Sequence, residues 1–151
     1  MPAVEESGAL DRFGRRGRGV WSDGGTWYLS FMTVSSLQTV LADFAAEREW
    51  GRFHTPKNLV MALSGEVGEL AAEFQWLTPQ EASAVMEDPE RARAVRSEMA
   101  DVFSYLLRLA DVLDVDLEEA VREKVALNAD RYPADQVRGR AVKYTALEGR
   151  S

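Results

Sequence analysis

Gly65-Glu66-Val67-Gly68-Glu69-Leu70-Ala71-Ala72-Glu73-Phe74-Gln75-Trp76-Leu77 is the stretch on which the fold turns, because acids recur inside an apolar run at helical spacing. A residue advances about 100° around a helix, so positions three apart share a face. Leu63, Leu70, Phe74 and Leu77 form an inward stripe, with Glu66 on its edge and Glu69 flanking it. A second pair, Glu98-x-x-Asp101, follows after 28 intervening residues, again within an apolar run. Measured from Glu98, Val95, Val102, Leu109 and Leu113 lie within about 60° and Tyr105 about 20° away. Glu98 is therefore expected on the core-facing stripe, with Asp101 on its border. Carboxylates on a buried seam are costly unless a cation, a donor network or protonation compensates. Four acids with only oxygen to offer suit a hard divalent ion, Mg²⁺ or Mn²⁺. The plainer alternative is that acids at i, i+3 decorate solvent-facing helix surfaces. Glu73, four residues after Glu69, is a fifth ligand, a base behind the ligands or a solvated charge. A di-iron carboxylate bundle would need Glu-x-x-His on two helices. The sole histidine, His54, falls between helices, so that reading fails.

Outward from these helices the chain reads as all-α, a four-helix-type bundle with no internal repeat and no strand. A first helix is expected from Ser35 or Ser36 to about Trp50, with Leu37, Leu41, Phe44 and Arg48 on one stripe and Gly51 ending it. Thr55 and Pro56 supply an N-cap and a first-position proline for the second helix, which should continue to Leu77. Thr78-Pro79-x-Glu81 is a capping box opening a short helix that stops at Asp88-Pro89. The third long helix runs from about Glu90 to Leu113. Asp116, with Glu119 as its partner, opens a fourth that Pro133 closes. Residues 1–34 hold six of the eleven glycines and four arginines without helical periodicity. Such a segment buries too little surface to offset its ordering entropy. It is expected to be a disordered or loose arm, passive or anion-binding, with Met32 as an alternative start. The helical catalytic domain then spans residues 35–133, and residues 134–151 form a polar tail.

Composition narrows the class. A chain of 151 residues predicts one domain, with or without a tail. The absence of cysteine removes thiolate chemistry and fits a cytoplasmic location. A net charge of −7 argues against a nucleic-acid surface, though not against a nucleotide, because bound metal reverses the local sign. No apolar run approaches the roughly 20 residues of a membrane span, and the N-terminus lacks a signal-peptide pattern.

Two further groups carry chemistry. With Leu117 as reference, Val121, Lys124, Asn128 and Arg131 fall within about 40° on the fourth helix. Inward cations there either snorkel along apolar surface or bind polyphosphate opposite the acids. Trp50, Phe53 and His54 cluster between the first two helices, and Trp76 ends the second. They are either packing anchors or a base-stacking slot.

The ordered motifs resemble the all-α nucleoside triphosphate pyrophosphohydrolases. They are Phe44-Ala45-Ala46-Glu47-Arg48-x-Trp50, Phe53-His54-x-Pro56-x-Asn58-Leu59, Gly65-Glu66-Val67-Gly68-Glu69-Leu70, Phe74-Gln75-Trp76, Glu98-x-x-Asp101-Val102 with Tyr105-Leu106, Asn128-x-x-Arg131-Tyr132-Pro133 and Lys143-Tyr144-Thr145. Within that superfamily the chain is most similar to the MazG-like branch that contains the dCTP pyrophosphatases, over about residues 36–147. The resemblance implies a Mg²⁺-dependent hydrolase that cuts between the α- and β-phosphates. Glu66, Glu69, Glu98 and Asp101 match metal ligands, with Glu66, Glu69 and Glu73 expected in catalysis. Lys124, Asn128, Arg131 and Lys143 match phosphate or sugar contacts. Trp50, His54, Trp76, Tyr105 and Tyr144 are expected around the base. It also implies a homodimer or homotetramer, with the tail as a lid over a pocket. Leu41 stands where the dCTP-cleaving relatives are expected to carry a histidine. The alternative is a non-catalytic helical nucleotide-binding module or scaffold, which should have lost acids or phosphate cations.

Overall fold

The computed structural model describes residues 33–141 and 143, together with the backbone of Val20–Trp21 and Trp27–Tyr28. The rest of the arm, Tyr144 and the end of the tail lie outside the described residues. The chain divides into two compact units, residues 1–115 and 116–151.

In the first unit, β1 (Val20–Trp21) and β2 (Trp27–Tyr28) pair antiparallel, Val20 opposite Tyr28 and Trp21 opposite Trp27. This two-residue ladder lies in the arm; the remaining described elements are helical, and the fold is all-α. Helix α1 spans Val34–Glu47, α2 Pro56–Ala72, α3 Pro79–Ser83 and α4 Pro89–Val112.

Each start is fixed locally. Thr33, rather than Ser35 or Ser36, caps α1 by accepting from the Ser36 amide at 3.1 Å. Thr55 caps α2 through the Asn58 amide, with Pro56 in the first turn. Thr78 and Glu81 cap α3 reciprocally, and Asp88 accepts from the Glu90 and Arg91 amides to start α4. Side-chain oxygens thus satisfy amides that have no intrahelical partner.

Two helix ends differ from expectation. Helix α1 stops at Glu47 instead of Trp50, because Glu49 turns left-handed (φ 53°) into a 3-10 turn at Trp50–Arg52. Gly51 sits inside that turn and does not terminate the helix. Helix α2 ends at Ala72 with Glu73 as C-cap, five residues before Leu77.

The core is formed by Leu59, Val85, Val95, Leu107 and three alanines, Ala45, Ala92 and Ala110. It shifts two stripes. On α1 the buried positions are Ser35, Gln38 and Ala45, whereas Phe44 is 46% exposed. Small residues allow close approach to α4, and the Gln38 side-chain amide donates to the Leu107 carbonyl at 3.5 Å. On α4 the buried face is Ala92, Val95, Leu107 and Ala110, leaving Leu113 51% exposed. Glu98 therefore borders the core and is half-buried, not central to it.

The second unit contains α5 (Leu117–Arg131), capped by Asp116 through the Glu118 and Glu119 amides. The Glu119 carboxylate itself pairs with Arg122 at 3.2 Å. Pro133 opens a four-residue helix, α6 (Ala134–Val137), where only polar tail was expected. None of the described helices is long and apolar enough to cross a membrane.

Candidate functional site

On α2 the half-buried residues are Ala62, Leu63, Glu66 and Leu70, so Glu66 lies within the inward stripe and not on its edge. Glu69, one turn on, is exposed. Helix α4 brings the half-buried Glu98 to them, and one carboxylate oxygen from each of Glu66, Glu69 and Glu98 lies within 4.8 Å of the others. Asp101 is exposed and falls outside this three-way convergence, yet its charge still acts on the site.

The electrostatics follow. Partial burial, then the charges of Glu69, Asp101 and Glu98, push the Glu66 carboxyl above the ordinary glutamate range. Partial burial, then Glu69, Asp101 and Glu73, raise Glu98 in the same way. Like charges held this close are relieved by protonation or by a cation. An all-oxygen donor set on two rigid helices fits a hard divalent ion. The three glutamates can hold one, and the fit comes from the donors themselves.

Glu73 is half-buried and links this cluster to a cavity of about 580 Å³ at the far end of α2, where Trp76, Leu77, Arg91 and Ala94 also line the wall. Trp76 is 86% exposed. Trp50 belongs to a different aromatic group. Its ring meets Phe44 edge-on at 5.8 Å and His54 tilted at 6.3 Å, with the Arg48 guanidinium 3.5 Å from the Phe44 centroid. Among the described residues, no ring contact joins the two tryptophans. His54 is half-buried, and its Nδ1 is shielded from solvent without a hydrogen-bond partner. Burial and then the Arg108 charge hold its pKa below the usual histidine value. Tyr105 is half-buried on α4, seven residues beyond Glu98.

Lys124, Asn128 and Arg131 share α5 in the second unit, Asn128 half-buried and the two cations exposed. Lys143 is exposed, and Tyr144 lies outside the described residues. Sequence reasoning missed Arg91, which lies seven residues before Glu98 and so on the same helix face. That spacing was the available signal. It also missed the partly buried ion pair between Arg108 and Asp111.

Known proteins resemble this chain over most of its length. The chain is 42% identical to the dCTP pyrophosphatase 1 of Bos taurus over 134 residues, 89% of this chain and 79% of the relative. It is 45% identical to the dCTP pyrophosphatase 1 of Homo sapiens over 115 residues, 76% of this chain and 68% of the relative. A crystal structure of a pyrophosphatase from Archaeoglobus fulgidus superposes with a TM-score of 0.63 at 39% identity, covering 68% of this chain and 94% of the other. Residues 61–147 match the MazG-like family description, and with these likenesses the chain belongs to the MazG-like family.

Proposed function

We infer that the chain is an enzyme, a Mg²⁺-dependent nucleoside triphosphate pyrophosphohydrolase (with Mn²⁺ as a substitute) that favours dCTP or a modified dCTP. One observation carries the reading: Glu66, Glu69 and Glu98 converge within 4.8 Å from two helices. The dCTP pyrophosphatases to which the chain is similar support the substrate class.

In the reaction, a water oxygen forms a bond to the α-phosphorus while the bond from that phosphorus to the α,β-bridging oxygen breaks. The products are the monophosphate and pyrophosphate. A divalent ion held by Glu66, Glu69, Glu98 and Asp101 would supply charge neutralisation at the phosphoryl oxygens. A carboxylate not fully engaged by the ion, Glu69 or Glu73, takes the proton from the attacking water. Lys124, Asn128, Arg131 and Lys143 bind the phosphates and favour the leaving group by holding its charge. We assign contacts with the base to Trp50, His54, Trp76, Tyr105 and Tyr144, and the role of a lid to the tail. We place the enzyme in the cytoplasm, acting on free nucleotides and not on nucleic acid or membrane.

A homodimer or homotetramer is part of this reading. Met61, Val67, Met99, Phe103 and Leu106 stand exposed on the acid-bearing helices, and pairing of copies would bury them. The deciding experiment is pyrophosphate release from a panel of triphosphates with Mg²⁺ and then with EDTA. Metal-dependent release is expected. Binding without release from any triphosphate would leave a non-catalytic nucleotide module.

A further inference from the structure

The segment between α1 and α2 is strained at its entrance, tied down at its exit, and carries the chain's sole histidine. Glu49 enters it with a left-handed backbone, φ 53°, and the 3-10 turn Trp50–Arg52 follows. That region is disfavoured for a residue with a Cβ, so contacts hold the turn rather than its own preference. The His54 amide donates to the Trp50 and Gly51 carbonyls, both at 3.2 Å, which ties the histidine to the turn. The rings of Trp50 and His54 lie 6.3 Å apart. At the exit, Thr55 caps α2 and the Asn58 side-chain amide donates to the Phe53 carbonyl at 3.0 Å.

His54 Nδ1 and Arg108 Nε are both shielded from solvent, and neither has a hydrogen-bond partner. Arg108 stands on α4 with its side chain 12% exposed and one terminal nitrogen paired with Asp111. Its charge acts on the His54 ring. The two groups are complementary in one protonation state only. A guanidinium N–H only donates, and an imidazole nitrogen accepts while the ring is neutral. Protonation turns Nδ1 into a donor, so that two donors and two positive charges share a partly buried place. The other charges around the segment do not relieve this. Arg48 on α1 pairs with Glu47 and lies 3.5 Å from the centroid of the Phe44 ring. Arg52 lies over its neighbour Phe53 at 4.7 Å, and Lys57 at the start of α2 is a further cation. Glu49 is exposed, and Asp111, the acid on the α4 side, is already engaged with Arg108.

We propose that Arg108 and neutral His54 form an acid-sensitive latch on the Trp50–Arg52 turn, closed while Nδ1 can accept and released when it is protonated. The device is read without substrate, so it stands or falls apart from the triphosphate reading. Joined to that reading, an open latch takes Trp50 away from the base and weakens binding in acid. Because the chain has one histidine, its ring-proton resonance reports His54 alone, and the indole N–H resonance lost in Trp50→Phe reports the turn. Both are followed by NMR on the full chain from about pH 8 to about pH 4, a range that spans histidine titration. They should move with one midpoint, below the usual histidine value, while circular dichroism shows the helices intact. Arg108→Gln removes the facing charge and should raise the midpoint of both resonances. Arg108→Lys keeps the charge and should reverse part of that shift. Asp111→Asn strips Arg108 of its counter-charge and should lower the midpoint. Lost packing would move the two neutralising variants the same way, so shifts of opposite sign belong to the charges. His54→Phe should leave the Trp50 resonance without a transition. A Trp50 resonance that stays still while His54 titrates overturns the latch, as does one that still moves in His54→Phe. So does a His54 midpoint at or above the ordinary value, or one that Arg108→Gln and Asp111→Asn leave unmoved. A transition that coincides with loss of helicity overturns it too. Arg108→Lys and Asp111→Asn keep a cation at position 108, so the outcome does not depend on whether Arg108→Gln folds.

Discussion

Glu98→Gln replaces one of the three converging carboxylates with a neutral amide of nearly the same shape, and its effect should change sign with metal. Without metal, partial burial and the charges of Glu69, Asp101 and Glu73 raise the Glu98 pKa, and Glu66 is raised likewise. The folded state then binds these protons more tightly than the unfolded chain does. Stability therefore falls as pH rises from the ordinary glutamate range through the raised values. Metal-free wild type should gain stability on acidification into that window. The variant should gain less, and its metal-free Tm at neutral pH should not lie below that of the wild type. Metal reverses the order. A divalent ion at about 100 times its Kd stabilises the fold by about 2.7 kcal/mol. A chain of this size shifts by about 2–4 °C per kcal/mol, so the wild type should rise by roughly 5–11 °C. Losing a group behind a ligand costs ~10–100-fold in metal affinity, and losing the ligand itself should cost at least the upper figure. At the same metal concentration the variant then keeps about 0.4 kcal/mol, or roughly 1–2 °C. Scanning fluorimetry across a Mg²⁺ titration reads the shift, and pyrophosphate release reads the accompanying loss of turnover. An undiminished Mg²⁺ shift, or full turnover at saturating Mg²⁺, would refute the assignment of Glu98 to the metal.

Leu107 is fully buried against the first unit's core, so Leu107→Ala should cost about 2–5 kcal/mol in denaturant unfolding. Glu49 holds a left-handed backbone at φ 53°, a region where a Cβ is penalised. Glu49→Gly should therefore raise stability by about 0.5–1 kcal/mol, measured in the same way. The depressed pKa of His54 has the opposite sign to the glutamates. Below the unfolded value of about 6.5 the unfolded chain takes up the proton first, so stability should fall as pH drops toward the lowered value. His54→Phe should flatten that part of the pH profile of Tm, and an unaltered profile would remove His54 as its source.

Helix starts were legible because a cap is a contract within three residues: Thr55 with Pro56, Thr78 with Glu81 and Asp116 at the head of α5 stand where the sequence places them, whereas Asp88-Pro89, expected to stop a helix, starts α4. The acid pairs were legible for a related reason, since i, i+3 spacing fixes a shared face whatever surrounds the helix. The phase of the buried stripe was less so. Ser35, Gln38 and Ala45 are the buried positions of α1, while Leu41 is half-buried and Phe44 exposed, because close approach favours small side chains over large ones. Helix ends were overestimated at Trp50 and Leu77, where propensity continues but the chain reverses at the left-handed Glu49 and loosens into turns over residues 73–76. Arg91 escaped notice because nothing in its neighbourhood is unusual until the cavity that it lines is seen.

The connection between the acid-bearing helices has a consequence for how the site assembles. Bringing Glu69 to Glu98 closes a loop over 28 intervening residues, and the entropy of such closure grows only with the logarithm of its length. Within that loop, Thr78-Pro79 and Asp88-Pro89 each begin a helix from their own neighbours. These starts form without waiting for distant contacts, so the effective span to be closed is shorter than the residue count. The directions in which the chain leaves α2 and enters α4 are set by separate local signals. The link between these two signals is itself anchored, because Val85, on the 3-10 turn Val85–Glu87, is buried in the core. The meeting of the acids is therefore held by two local helix starts and one core contact between them, and residues inserted next to Val85 would have to displace that anchor.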